Sequence, residues 1–286
     1  MVPRLKPGAG FSCPRSGLQE IAPGFSRGTV EYAPQMRFRT WGLPFTGIAV
    51  GLLAWQIAVW LNPATLVPGP LAVARGIGEL AVRGLLVKYV FASLFRVSWG
   101  YLGALLVAIP LGLFLGVIRR GELTLNPILQ VLRPISPLAW IPIAILWFGV
   151  GDVSAIFLIF LASLLPLTLA TTNAVRNIDP VHLAAARNFD LPLRQRVVNV
   201  LIPAILPQLI VAMRIALGVA WLVVVAAEMI AVNSGLGFLI VDARNAGNRY
   251  DLVIAGMALI GIIGLGLDLL MRRLERLDSV RWGYAS

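Results

Sequence analysis

The sequence predicts an all-α, polytopic membrane protein with about six transmembrane helices, and three observations carry that expectation. Hydrophobic residues make up 58% of the 286, charged residues 13%, and the mean hydropathy is +0.85. A soluble domain of this length has far more surface to cover with charge. Trp41–Leu61, Val97–Ile118 and Val153–Val175 each hold 21 or more residues without one Asp, Glu, Lys or Arg. About 20 such residues, rising about 1.5 Å each, cross a hydrocarbon core of about 30 Å. The basic residues, finally, gather between the apolar runs rather than within them.

Residues 1–40 differ in kind from the rest: six of the 24 basic residues, several Pro and Gly, and no apolar run. They are expected to form a flexible basic tail in the cytoplasm, and the lack of an apolar h-region argues against a cleaved signal peptide. Cys13 is the single cysteine, so no intrachain disulfide can form. The net charge of +11 sits where it sets topology and meets anionic lipid, which argues against nucleic acid as a partner.

The membrane domain is expected over residues 41–275, with a short cytoplasmic tail at 276–286. Its spans are expected near Trp41–Leu61, Val90–Ile118, Pro127–Val150, Val153–Val175, Pro207–Val232 and Leu252–Met271. Between the first two, Pro-rich Asn62–Pro70 leads into Leu71–Leu86. There Leu71, Ile77, Leu80, Leu85 and Leu86 suggest one apolar face, and Arg75, Glu79 and Arg83 a charged one. This reads either as an amphipathic helix at the outer membrane surface or as a solvated connector. The third span carries Arg133 and is interrupted by Pro134, Pro137 and Pro142. With the N-terminus inside, 16 Lys and Arg fall on cytoplasmic segments and five on external ones, which places both termini in the cytoplasm.

Three arginines fall inside spans, together with Glu228 and, near an end, Asp268. Ionisable groups at membrane depth are costly and mark functional candidates. Arg214 and Glu228 lie 14 residues apart on one helix, about 21 Å, too far to pair with each other. Arg214 is either a pathway charge that attracts an anion or locks the inner gate, or a packing or snorkelling group; Glu228 has the same two readings. Arg96 and Arg133 stand near expected span ends, where snorkelling is the expected role. Arg133 also precedes the Pro-rich break, where its donors would satisfy freed carbonyls. Trp140 and Trp221 either line a pathway or pack.

The cytoplasmic connection, about 176–200, has a structure of its own. Asp179 is a good N-cap, Pro180 suits the first helical position, and Pro192 stops a helix near Leu191. A short helix held out of the membrane this way can dock into a partner and carry rigid-body motion to the spans. Ala184-Ala185-Ala186, Asp190 and Val200-Leu201-Ile202-Pro203 stand at the spacing of a signature reading Glu-Ala-Ala, three residues, Gly, nine residues, Ile-x-Leu-Pro. In this the chain resembles the permease subunits of bacterial ATP-binding-cassette importers, with Ala184 in place of the Glu and Asp190 in place of the Gly. Pro134–Pro142, Trp147–Gly151, Arg214–Gly218, Ala220-Trp221, Ala226–Met229 and Gly235-Leu236-Gly237 narrow the resemblance to the nitrate/sulfonate/taurine importers, over roughly Pro68 to Arg276.

That resemblance implies a type I importer transmembrane domain in the bacterial inner membrane, taking a small anion through by alternating access. It implies a homodimer, two ATPase subunits that carry the ATP and magnesium, and a periplasmic or lipid-anchored substrate-binding protein. It casts the segment around 181–191 as the coupling helix, with Val181, Ala184, Ala185, Ala186, Arg187, Phe189, Asp190 and Pro203 as coupling residues. Arg214, Trp221, Glu228 and Trp140 are the pathway candidates. No phosphate-binding loop occurs in the chain, and His182 is the sole His, with no second ligand for a metal. A gradient-driven transporter is the alternative, although only Glu228 and Asp268 offer intramembrane acids and no repeat stands out. A membrane-embedded enzyme ranks last, since no catalytic pairing lies at membrane depth.

Overall fold

A computed structural model describes residues 42–62, 67–190 and 192–275. The basic tail with Cys13 and the stretch 276–286 lie outside the described residues. The chain falls into two units, Met1–Gly51 and Leu52–Ser286, and the helical bundle belongs to the second.

Among the described residues there are helices and connections but no strand. Apolar α1 (Gly42–Leu61) is followed by α2 (Pro70–Val82) and α3 (Leu85–Val117). Next come α4 (Arg119–Leu132), a 3-10 turn (Pro137–Trp140), α5 (Ile141–Phe148) and α6 (Asp152–Arg176). The connection after α6 holds α7 (Pro180–Asn188) and α8 (Leu193–Arg196), and a π turn (Val197–Leu201) feeds into α9 (Ile202–Ala231). The chain closes with α10 (Leu236–Asn245) and α11 (Tyr250–Glu275).

Four helical runs are long and apolar enough to cross a bilayer: α3, α6, Arg194–Ala231 and α11. The expected third span is bent by 87° between Leu123–Leu132 and Pro137–Phe148, and the apolar stretch of α1 is shorter than these. The prolines explain the bend. Pro134 and Pro137 lack the N–H that would continue α4, and Ser136, preceding a proline, is held extended at φ −59°, ψ 133°. Its hydroxyl accepts from the Leu138 N–H at 3.3 Å and starts the 3-10 turn.

α3 and α6 form the spine of the bundle. In lipid there is no water to drive helices together, so close backbone approach has to supply the attraction. Gly100, Ala104, Ala108, Gly112 and Gly116 recur every four residues along α3. A Cβ at Gly112 would lie 2.5 Å from that of Thr171, and one at Gly100 would lie 2.7 Å from that of Ile159. Only glycine admits so near an approach. Two threonine hydroxyls carried into this seam are satisfied locally: Thr171 donates to the Leu167 carbonyl at 2.7 Å, Thr172 to the Thr168 carbonyl at 2.8 Å.

α2 shows which of the two readings of its segment applies. Val73, Gly76 and Leu80 are buried on one face, and Gly76 is close enough to Leu252 that a Cβ would approach its side chain to 3.2 Å. The helix is thus packed on the start of α11 rather than left as a solvated connector. It ends at Val82, and the left-handed Gly84 (φ 69°) turns the chain into α3. Leu85 and Leu86 therefore belong to α3, which starts five residues before the expected Val90.

Candidate functional site

Four features bear on function among the described residues. One lies where α3 and α6 begin and α9 ends. Arg96, on α3, is 1% exposed and Glu228, on α9, is 0% exposed. Arg96 Nη1 donates to Glu228 Oε1 at 2.6 Å and to the Ser234 carbonyl at 2.8 Å, while its Nη2 reaches Ser234 Oγ. Its Nε donates to Asp152 Oδ1, the first residue of α6, at 2.8 Å. The second oxygen of Glu228 accepts from Ser93 Oγ at 2.9 Å and from the Gly237 N–H at 2.9 Å. Ser93 in turn accepts from the Leu236 N–H at 3.0 Å.

The local sequence makes this geometry possible. Gly235 sits at φ 109°, a left-handed conformation that side chains resist, and a Cβ there would collide with the Glu228 carboxyl. A Cβ at Gly237 would strike the Val225 carbonyl. The two glycines bring the chain after α9 back onto Glu228. The cluster ties α3, α6, α9 and α10 at one end, and nearby the Gly151 N–H donates to the Ala231 carbonyl at 2.9 Å. An ion pair out of reach of water is tolerable only when its remaining donors and acceptors are satisfied, as these are.

This arrangement corrects the sequence reading of Arg96. It does not snorkel: burial and four hydrogen bonds to three residues place it at the centre of the cluster. Asp152, Ser93 and Ser234 escaped the reading altogether. The available signal was the bare presence of an arginine within an apolar run, with Ser93 and Gly100 on its face at spacings of three and four.

A second cluster lies between α9 and the far end of α11. Arg214 Nε donates to Asp268 Oδ1 at 2.6 Å, and its Nη1 to Glu275 Oε1 at 3.2 Å. Arg272 also donates to Asp268, at 2.9 Å. Above Arg214, Trp221 is buried and its Nε1 donates to the Ile260 carbonyl at 3.0 Å, filling the space beside Gly264. Trp140, in the 3-10 turn, is half-buried against the main core.

The third feature is α7. The Asp179 carboxylate accepts from the Val181 N–H at 2.8 Å, capping the helix as its sequence implies. Ala174, Val175 and Ile178 pack with Leu201 and Ile205, so the segment hangs from a small core joining the end of α6 to the start of α9. Pro203 stands in the first turn of α9. Val181 on α7 is 68% exposed and Phe189, in the turn just after it, 78%: two large apolar side chains outside the apolar spans. Ala184 is exposed, Ala186 is 3% exposed, and the side chains of His182, Ala185 and Arg187 lie outside the described residues. Asp190 adopts φ 47°. That left-handed turn is where glycine is favoured and Asp is among the better-tolerated replacements, so Asp190 keeps the turn that the signature's Gly provides.

The fourth is a cleft of about 690 Å³ between α4, the bend and α6. Asn126 and Gln130 line it from α4, Arg133 from the position that follows α4, and Asn173 and Arg176 from α6, together with the apolar Leu161 and Leu165. None of the four pathway candidates lines it. The Arg133 side chain makes no hydrogen bond or ion pair among the described residues, so it does not satisfy the carbonyls freed at the bend. Among the described residues no group of His, Cys, Asp and Glu could hold a metal ion.

Residues 108–277 match the family of the binding-protein-dependent transport system inner membrane component. The chain is 35% identical over 236 residues to a putative aliphatic sulfonates transport permease protein of Bacillus subtilis, covering 82% of this chain and 85% of that one. It is 34% identical over 243 residues to the taurine transport system permease protein of Escherichia coli, covering 80% and 87%. Its fold is similar to that of a chain in the inward-facing MetNI methionine ABC transporter, with a TM-score of 0.61 at 21% identity, over 67% of this chain and 95% of that one.

Proposed function

Because this chain belongs to the family of binding-protein-dependent transport system inner membrane components, and is thus a permease subunit in the membrane, we propose that it imports a small oxyanion of the sulfonate or nitrate type. Two copies would pair, each bound to an ATPase subunit that carries ATP and magnesium, and a substrate-binding protein would deliver the anion from outside. The observation that carries this reading is the match over 108–277, which spans the bent third segment, α7 and the Arg214 cluster. The relatives transporting sulfonates and taurine support the anion.

The mechanism follows from how the parts are joined. In this reading the end bearing α7 faces the cytoplasm and the end bearing the Arg96–Glu228 cluster faces outward, as the charge distribution favours. α7 is the coupling helix, with exposed Phe189 and Val181 seated in the ATPase, Ala184 and Arg187 beside them, and Ala186 facing its own chain. Movement of α7 passes through the Ile178–Leu201 core to α6 and α9 together. The glycine seam binds α3 to α6, and Arg96–Glu228 binds α9 to both, so the helices turn as one body about the bend in the third segment. Arg214, with Asp268 and Glu275, acts as the lock between α9 and α11 at the cytoplasmic half, beside Trp221. Trp140 is proposed to steady the bend.

The test is reconstitution of this chain with its ATPase and binding protein in liposomes. ATP-dependent uptake of taurine, an alkanesulfonate or nitrate is expected. Uptake by this chain without the ATPase, driven by an ion gradient, would overturn the reading.

A further inference from the structure

The geometry points to a transient oxyanion site in the cleft between α4 and α6, with Arg133 as its cation; this rests on the importer reading above. Three arginines lie within the expected spans, and the other two are neutralised. Arg96 meets Glu228 and Asp152, and Arg214 meets Asp268 and Glu275, all within 3.2 Å. Arg133 alone of these three has no carboxylate within ion-pair distance among the described residues, and it is exposed and lines the open cleft. A cation at membrane depth without a counter-charge is unfavourable unless it faces water or a ligand that supplies one.

The surroundings suit an anion in particular. Among the described residues no Asp or Glu lines the cleft. Asn126, Gln130 and Asn173 share the lining with Arg133 and carry amide donors. A planar guanidinium bonds two oxygens of a sulfonate or nitrate at once, which a lysine cannot do as well. The volume of about 690 Å³ falls within the size range of small-molecule sites and leaves room for part of a hydration shell. The cleft runs from the end of α6 at Arg176 to Leu161, about 22 Å along the helix, from one membrane face towards the middle. A polar mouth and an apolar floor would hold the oxyanion head in the mouth and let it leave towards the face where Arg176 lies. A lipid phosphate is the other source of the same chemistry, and the test separates the two.

The experiment uses the complete transporter in liposomes, with Cys13→Ser as background. Arg133→Gln is expected to lower uptake of the anion about tenfold or more, while the pair and its ATP hydrolysis survive; Arg133→Lys, which keeps the charge but loses the bidentate contact, is expected to fall between Arg133→Gln and the unchanged protein. With Arg133 kept and Ala170→Cys as a reporter in the cleft, ethanesulfonate is expected to slow modification of the thiol and tetramethylammonium to leave it unchanged; in Arg133→Cys, attachment of a cationic group is expected to restore uptake. Uptake by Arg133→Gln within about twofold of the unchanged protein, a factor too small for a lost charge contact, would overturn the site. Absence of ethanesulfonate protection would do so in favour of a lipid phosphate, and loss of the pair in Arg133→Gln in favour of a seat for the second copy. If the unchanged transporter imports no oxyanion at all, the importer reading fails instead.

Discussion

Arg96 and Glu228, 132 positions apart in the sequence, meet at 2.6 Å with both side chains almost wholly buried. The pair closes one end of the bundle by holding α3 against α9, and Asp152 and Ser234 extend it to α6 and to the start of α10.

Removing one member should cost more than removing both. Glu228→Gln leaves a buried guanidinium with Asp152 as its one remaining carboxylate, and Gln cannot restore the charge. Breaking a buried pair typically costs about 3–5 kcal/mol, while replacing both partners by apolar residues is often close to neutral. Thermal unfolding in detergent is the measurement: Glu228→Gln should fall well below the parent, and Arg96→Met with Glu228→Met should recover part of the loss. Equal melting temperatures for parent and Glu228→Gln would remove the pair from the structural account.

The membrane spans were legible in the sequence because charge-free runs follow directly from the cost of polarity in lipid. α7 was legible as well, since Asp179, Pro180 and Pro192 act locally, and its bounds of Pro180–Asn188 lie close to those expected. The Arg96 cluster was not legible. Its partners come from helices far apart in the chain, and no periodicity encodes that meeting. Placing the start of α3 at Val90 rather than Leu85 also left Arg96 nearer a span end than it is. The prolines at 134 and 137 announced a break, but its angle depends on the packing of the bend against α6. The charge on Arg214 was legible, and its pairing with Asp268 and Glu275 was not.

Arg214 should matter through coupling rather than assembly. Its guanidinium holds two carboxylates of α11, so Arg214→Gln leaves Asp268 and Glu275 without their shared partner, although Arg272 still bonds Asp268. ATP hydrolysis in the reconstituted transporter should persist while uptake per ATP falls. Unchanged uptake per ATP would mean that the cluster only packs.

The contact between α2 and α11 should respond to acid. Glu79 bonds Arg249 at 2.6 Å and Arg83 at 2.7 Å. The hydrogen bond from Arg249, above all, holds its carboxyl below the ordinary value of 4.5. A carboxyl lowered in the folded state contributes stability that is complete above its unfolded value and is lost as pH falls through the folded one. Protection of the α2 amides, their exchange relative to the intrinsic rate at each pH, should therefore be constant at neutral pH and fall once the pH drops below that ordinary Glu value. Arg249→Gln should show the faster exchange already at neutral pH. An α2 exchange profile that Arg249→Gln leaves untouched would contradict the clasp.

The central claim is that α7 transmits the ATPase stroke, and the structure identifies the position to probe. Ala186 is buried against its own chain, so enlarging it would disturb the fold and the docking together. Phe189 is exposed and free of such ambiguity. The most direct measurement is disulfide crosslinking of Phe189→Cys, in the Cys13→Ser background, to single cysteines placed across the ATPase surface of the assembled transporter. The expected result is a crosslink at one confined set of ATPase positions, formed at different rates with and without ATP. No crosslink at any position, in a complex that still hydrolyses ATP and imports its anion, would contradict the assignment of α7 as the coupling helix.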